Sequence, residues 1–168
     1  MFPSALRMRL GRPEDARAIG ALVRRVARRW VLPDQSPEAG AALLLRFSAK
    51  GIRQRLLEGQ RFHLAFLGEV LVGVSAMRGD SHLVQFFVGT RYQGRGIARR
   101  LWQRTMQDAV RRADTRRFTL NASRCAVPVY LRLGFVLAGP EGHSPKGMVT
   151  TPMVLDLDAA PRPSRKRA

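Results

Sequence analysis

Between an apolar strand-like run ending at Val88 and an amphipathic run starting near Ile97, the chain reads Gly89-Thr90-Arg91-Tyr92-Gln93-Gly94-Arg95-Gly96. No other segment constrains the fold as tightly, because it dictates a strand-to-helix turn with bare backbone. Gly94 and Gly96 carry no Cβ, so their amides stay uncovered and left-handed conformations are open to them. The first N–H groups of the helix that follows have no internal partner and lie at the positive end of its dipole. A turn of this kind suits a pyrophosphate or another anion.

Spacing separates the phosphate-binding turns from one another. A dinucleotide fingerprint needs glycine or alanine at position 99, where Arg99 stands, and a P-loop needs a closing Gly-Lys-Ser/Thr that is absent. The segment does contain Gln-x-x-Gly-x-Ala, at Gln93, Gly96 and Ala98. Downstream, Leu120-Asn121-Ala122-Ser123 leads into Val127-Pro128-Val129-Tyr130-Leu131-Arg132-Leu133-Gly134-Phe135, a strand end followed by a short helix and a Tyr-x-x-x-Gly-Phe element. In that order and at that distance, the two motifs resemble those of the GNAT superfamily of acyl-CoA-dependent N-acyltransferases. The resemblance extends from about Arg7 to Asp158, although only the two motifs are specific.

The resemblance implies an α+β fold, with a mixed, mostly antiparallel central sheet between helices in three layers. Its fourth and fifth strands would splay to admit the pantetheine arm as an extra strand. It implies acetyl-CoA as cosubstrate and no metal. The cosubstrate would lie against Phe86, Phe87, Val88, Gln93, Gly94, Arg95, Gly96, Ile97, Ala98 and Arg99. Ser123, seven before Tyr130, is the expected contact to the CoA arm, with Asn121 as the alternative because a subset of relatives reads Asn-Ala-Ser. Tyr130 would protonate the leaving thiolate, a backbone N–H at Val88 would polarise the thioester carbonyl, and a primary amine on a small molecule or peptide would attack directly in a ternary complex. Some relatives carry a glutamate on the fourth strand as base, but His82 to Val88 has no acid. A water chain, His82, Glu141 and His143 all stay open for that role.

The order of elements agrees. Met8 to Leu10 can form a strand, and Pro13-Glu14-Asp15 opens a helix with proline early and acids at the dipole. Ile19, Leu22, Val23, Val26 and Trp30 recur at helical spacing. A second helical stretch starts at Ser36-Pro37-Glu38, passes Leu43, Leu44, Leu45 and Phe47, and resumes through Ile52, Leu56 and Leu57 to a stop at Gly59. Phe62 to Leu67 and Val70 to Met77 flank Gly68-Glu69, a two-residue hairpin turn, and Arg78-Gly79-Asp80 turns into the strand His82 to Val88. Behind the glycine loop, Ile97, Ala98, Leu101, Trp102, Met106, Ala109 and Val110 share one helix side, with arginines mainly opposite. Phe118 to Leu120, Phe135 to Ala138 and Pro152 to Leu157 complete the strands.

At 168 residues and 45% hydrophobic content the chain is sized for one core, giving a domain over 1–158 and a basic tail over 159–168 with no apolar anchor, expected to be disordered. Cys125 is the only cysteine, so no internal disulfide or thiolate cluster can form, and His63, His82 and His143 have no metal-ligand spacing. No run approaches membrane-spanning length and the first residues lack a long apolar stretch, so a cytoplasmic location is expected. Thirty Lys plus Arg against twelve Asp plus Glu give a net charge of +18. All the lysines are Lys50, Lys146 and Lys166, which fits a compositional bias toward arginine. Such a surface attracts polyanions, so the second class of function is a basic nucleic-acid or ribosome-associated module without catalysis. Arg91, Arg95, Arg99 and Arg100 ring the loop, and Arg95 and Arg99 are the first candidates to pair with CoA phosphates. Monomer and homodimer are both compatible with the sequence.

Overall fold

The computed structural model describes residues 5–159. In chain order the elements are β1 (Leu6–Leu10), α1 (Ala16–Trp30), α2 (Pro37–Arg46), α3 (Ala49–Leu57), β2 (Arg61–Leu67), β3 (Val70–Arg78), β4 (His82–Val88), α4 (Ile97–Ala113), β5 (Arg117–Ala122), α5 (Val127–Leu133), β6 (Val136–Leu137), β7 (Gly142–His143) and β8 (Val149–Asp156). The strands lie in the order β1-β2-β3-β4-β5-β8-β6, with β7 on β8. All the pairings are antiparallel except β4 with β5. This is the mixed, mostly antiparallel sheet between helical layers that the resemblance implied.

Alternation along the strands decides which helices cover which face. Phe62 and Leu64 of β2 pack with Ile19, Val23 and Ile52 under α1 and α3. Ala65 turns to the opposite face and packs with Leu101 of α4. Further along that face, the Trp102 ring lies 5.2 Å from Phe118 and 5.1 Å from Phe135, tying α4 to β5 and to the end of α5. In α1, Ile19, Leu22, Val23 and Val26 are buried at the expected period, while Arg17, Arg25 and Arg28 stay exposed.

Several boundaries differ from the sequence expectation. Pro13–Asp15 forms a separate 3-10 turn before α1. Asp15 accepts the Arg12 backbone N–H at 2.7 Å and both arms of the Arg9 fork at 2.8 Å. That fork holds the Asp15 carboxyl below its ordinary pKa, against the opposing effect of burial. The second helical stretch divides at Ser48, whose hydroxyl caps α3 as Ser36 caps α2. The strand expected over Phe135 to Ala138 contracts to two residues, Val136–Leu137, and β7 was not anticipated. β8 starts before Pro152 and runs through it. A proline cannot donate, but the Pro152 carbonyl still accepts the Ala138 N–H at 2.8 Å and the ladder to β5 continues on either side. Of the expected tail, residues 160–168 lie outside the described residues. Among the described residues no helix is long and apolar enough to cross a membrane.

Candidate active site

The site begins as an interruption in the sheet. β4 and β5 pair only at His82–Thr119 and Leu83–Leu120. The next residue, Val84, is also the extra residue in the β3–β4 ladder, where Met77 faces Leu83 but Ala76 faces Gln85. A bulge bends its strand and sharpens the local twist. At this position it steers β4 away from β5, while β5 continues along β8 to Ala122–Thr151. The splay implied by the resemblance thus has a local cause.

The slot exposes main chain. Gly89 donates to the Val72 carbonyl at 2.8 Å, so its polar groups point toward β3. Polar groups alternate along an antiparallel strand, which turns those of Phe86 and Val88 into the slot. The Val88 carbonyl is taken there by the Gln93 side chain, whose Nε2 donates to it at 3.1 Å. Gln93 therefore staples the glycine loop back to the end of β4. The Val88 and Phe86 N–H groups stay available.

At the far end of the slot, Gly94 and Gly96 adopt φ of 76° and 78°, and a Cβ built on either would meet no atom within 4 Å. The backbone conformation requires glycine, and the space in front of it is clear for a ligand. α4 starts at Ile97 with no side-chain cap and no acid in its first turn. Its first helical bond shown is from the Arg100 N–H to the Gly96 carbonyl, leaving the earlier amides directed outward. Such a cradle suits a phosphate or another anion.

Tyr130 stands across the slot on α5, with its ring 5.9 Å from Phe86 and 5.7 Å from Phe135. The side chain is buried, and burial drives the phenol well above its ordinary pKa, so it keeps its proton throughout the physiological range. Ser123 and Asn121 lie at the end of β5, where the Ser123 carbonyl accepts the Ala126 and Val127 N–H groups and fixes the turn into α5.

A cleft of about 740 Å³ runs through these elements. It brings together Tyr130 with Phe86, Phe87, Val88, Gln93, Gly94, Gly96, Ile97, Ala98, Arg99, Asn121 and Ser123. Both Asn121 and Ser123 face it, so the structure does not choose between them. Arg95 stands apart, with its guanidinium 5.6 Å from the centre of the Tyr92 ring. Arg99 borders the cleft and reaches the Arg132 carbonyl at 3.4 Å. Sequence reasoning missed Met148 and Thr150 on the opposite wall, since nothing in their local pattern marks a site. It also missed the lock that brings them there: Gln35 donates to the Val149 carbonyl at 2.9 Å and accepts its N–H at 2.7 Å, imitating a strand partner.

The residues considered as bases differ in fitness. Glu141 spends both oxygens on Arg124, at 2.6 and 2.8 Å, and that pairing holds its carboxyl below the ordinary range. His82 bonds Thr119 through Nδ1 at 2.8 Å, and burial, reinforced by Arg78, lowers its pKa and keeps it neutral. It lies four residues before Phe86, about 13 Å along a strand. His143 is exposed on β7. Among the described residues, no cluster of His, Cys, Asp or Glu could hold a metal ion.

Comparison with known proteins bears on the family and the fold. A family model described as an acetyltransferase (GNAT) domain matches residues 31–157. A GCN5-related N-acetyltransferase from Rhodopseudomonas palustris is 24% identical, with a TM-score of 0.76 over 94% of this chain and 99% of that one. PaiA N-acetyltransferase from Thermoplasma acidophilum, solved with coenzyme A, is 13% identical with a TM-score of 0.76, over 90% of this chain and 99% of its own. YncA from Salmonella typhimurium, solved with acetyl-CoA, is 18% identical with a TM-score of 0.63, over 97% and 100% of the two chains. At these identities the structural likeness concerns the fold. No curated protein matches the sequence.

Proposed function

The chain belongs to the GNAT acetyltransferase family, and from that premise we propose that it transfers an acetyl group from acetyl-CoA to a primary amine. The observation that carries the proposal is the continuity of the slot: free strand amides at Phe86 and Val88 lead into the uncapped start of α4, with Tyr130 beside the first of them. Diphosphate oxygens would accept from the loop amides, with Arg99 rather than Arg95 as the nearby cation. The pantetheine amides would continue the ladder that β5 abandons.

The amine nitrogen attacks the thioester carbonyl carbon, the C–S bond breaks, and the phenolic proton of Tyr130 passes to the departing sulfur. The phenol then regains a proton from solvent. Val88 and Phe86 both offer an N–H to the carbonyl oxygen, and we assign that contact to Phe86, whose side chain touches the Tyr130 ring. The ammonium proton leaves through water, because Glu141 is committed to Arg124 and His82 is a strand's length away. Residues up to 158 act as one domain in this proposal.

The test is calorimetric titration of nucleic-acid-free protein with acetyl-CoA in high salt, with ATP as the control for unspecific phosphate binding, followed by thiol-release assays on a panel of amines. Saturable binding of acetyl-CoA alone, and amine-dependent release of CoA, support the proposal. Equal binding of ATP, or none of either, would move the basic nucleic-acid module to first place.

A further inference from the structure

A second cavity, of about 970 Å³, adjoins the cleft, and their shared wall includes Leu43, Phe47, Val84, Asn121, Met148 and Thr150. It opens where the bulge in β4 separates the strands, on the side covered by α2 and α3. Its walls carry Arg46, Arg55, Arg61, Arg78, Arg112 and Lys146 against Glu58 and Asp80. Two of these cations are already neutralised, Arg61 by Asp108 at 2.8 Å and Arg112 by Asp80 at 2.6 Å. Glu58 accepts from Gln54. Arg46, Arg55, Arg78 and Lys146 have no carboxylate partner among the described residues.

On a chain so rich in arginine, a cationic wall alone would be a solvated surface. Two buried atoms set this one apart. The Arg46 Nε is buried with no acceptor, and the Gln85 amide oxygen is buried with no donor although its residue is only 3% exposed. Each is a desolvated polar group left unpaired, which costs stability until something supplies its partner. Arg46 is further pressed by Arg55, whose Nη1 donates to the Arg46 carbonyl at 2.7 Å. The two needs are opposite in kind: one atom lacks an acceptor, the other a donor. Gln85 lines this cavity and its neighbour Val84 lines both the cavity and the cleft, so a group held at the Gln85 oxygen lies near the passage between them.

We propose that this cavity binds the acceptor, and that the acceptor is a small amine carrying a carboxylate or phosphate group. Its anion pairs with Arg46, supported by Arg78 and Lys146, and its amine N–H donates to the Gln85 oxygen on the way to the thioester. The amine half of this assignment rests on the acetyl-transfer proposal above, whereas the anion half rests on the cavity alone.

A matched series separates the possibilities: 4-aminobutyrate, 2-aminoethyl phosphate, 4-aminobutanamide and 1,4-diaminobutane, assayed by CoA release at fixed ionic strength. We expect kcat/KM for the carboxylate or the phosphate to exceed that for the neutral amide at least tenfold, and the diamine to be poorest. Which anion leads identifies the group bound. Arg46→Met should bring the anion-to-amide ratio toward one, mainly through KM, with Arg46→Lys intermediate and acetyl-CoA affinity reporting that each variant is folded. A preference for the amide or diamine, or a ratio unmoved by Arg46→Met, overturns the proposal. Independently of turnover, 4-acetamidobutyrate and inorganic phosphate titrated in the presence of CoA should bind wild type and not Arg46→Met. Such binding without acetylation of any amine would uphold the anion site and refute acetyl transfer. Binding of neither probe, with no preference in the series, would overturn the anion site.

Discussion

Gly96→Ala isolates what the loop glycine is for, because the structure supplies its own control. Gly96 and Gly59 both have left-handed backbone, at φ of 78° and 89°, and a methyl built on either meets nothing within 4 Å. Alanine at each site should therefore carry only the conformational cost, about 1 kcal/mol. For a chain of this size that lowers Tm by about 2–4 °C. The two differ in what approaches them. Gly59 follows α3 and lines the second cavity but not the cleft, whereas Gly96 lines the cleft and precedes the free amides of α4. A methyl there would hold a phosphate oxygen off one N–H group, a bond to a charged group being worth about 1.5–3 kcal/mol. Gly96→Ala should thus weaken acetyl-CoA binding about tenfold to 150-fold, with Gly59→Ala binding as wild type. Paired calorimetry and thermal unfolding read both quantities. If Gly96→Ala loses the same stability as Gly59→Ala and binds acetyl-CoA equally well, the loop does not hold the diphosphate.

Other consequences can be measured independently. Tyr130→Phe keeps the ring contacts to Phe86 and Phe135, so acetyl-CoA affinity and the unfolding midpoint should be retained while kcat falls about 100- to 1000-fold in steady-state assays. Unchanged turnover would remove the phenol from the acid role. Asp108 of α4 accepts the Arg61 fork at 2.8 and 2.9 Å and lies 3.2 Å from His63 Nε2. Burial opposes its charge, but Arg61 and His63 outweigh burial and leave its pKa below the ordinary value. Asp108→Ala should cost about 2–3 kcal/mol in urea unfolding with unchanged m, somewhat less than for a sealed pair because the Arg61 side chain is 29% exposed. His63 is pushed below its ordinary pKa, chiefly by burial, with Asp108 acting in the opposite direction. The unfolded chain then binds more protons than the folded one between that lowered value and about 6.5, so stability is full above about pH 6.5 and falls as the pH drops below it. Urea midpoints at pH 7.5 and 5.5 should show this loss. His63→Gln should remove part of it, the remainder belonging to His82, which is shifted the same way.

Local chemistry made a large part of this protein legible in advance. The bare loop around Gly94 and Gly96 needed only the absence of Cβ and the end of a helix, both properties of adjacent residues. The spacing of Ile19, Leu22, Val23 and Val26 named its buried face, and Gly68-Glu69 named its hairpin, because each depends on neighbours in sequence. Gln93 and Tyr130 were visible through motif spacing, although the bond from Gln93 to the Val88 carbonyl was not.

The sequence by itself thus determined the order of elements, their apolar faces and the place where an anion could meet uncovered amides. Tertiary structure decided everything that depends on two distant segments meeting. The bulge at Val84 is a mismatch of register between β3 and β4, invisible until the strands are paired. Gln35 finds Val149, and Arg46 comes to face the cavity beside Gln85, because α2 packs over an opening that the sheet itself creates. Unpaired buried atoms exist only once water has been excluded from around them. For that reason the sequence could point to the turn where the cosubstrate is proposed to lie, while the proposal of an anion-bearing acceptor rests on the folded cavity alone.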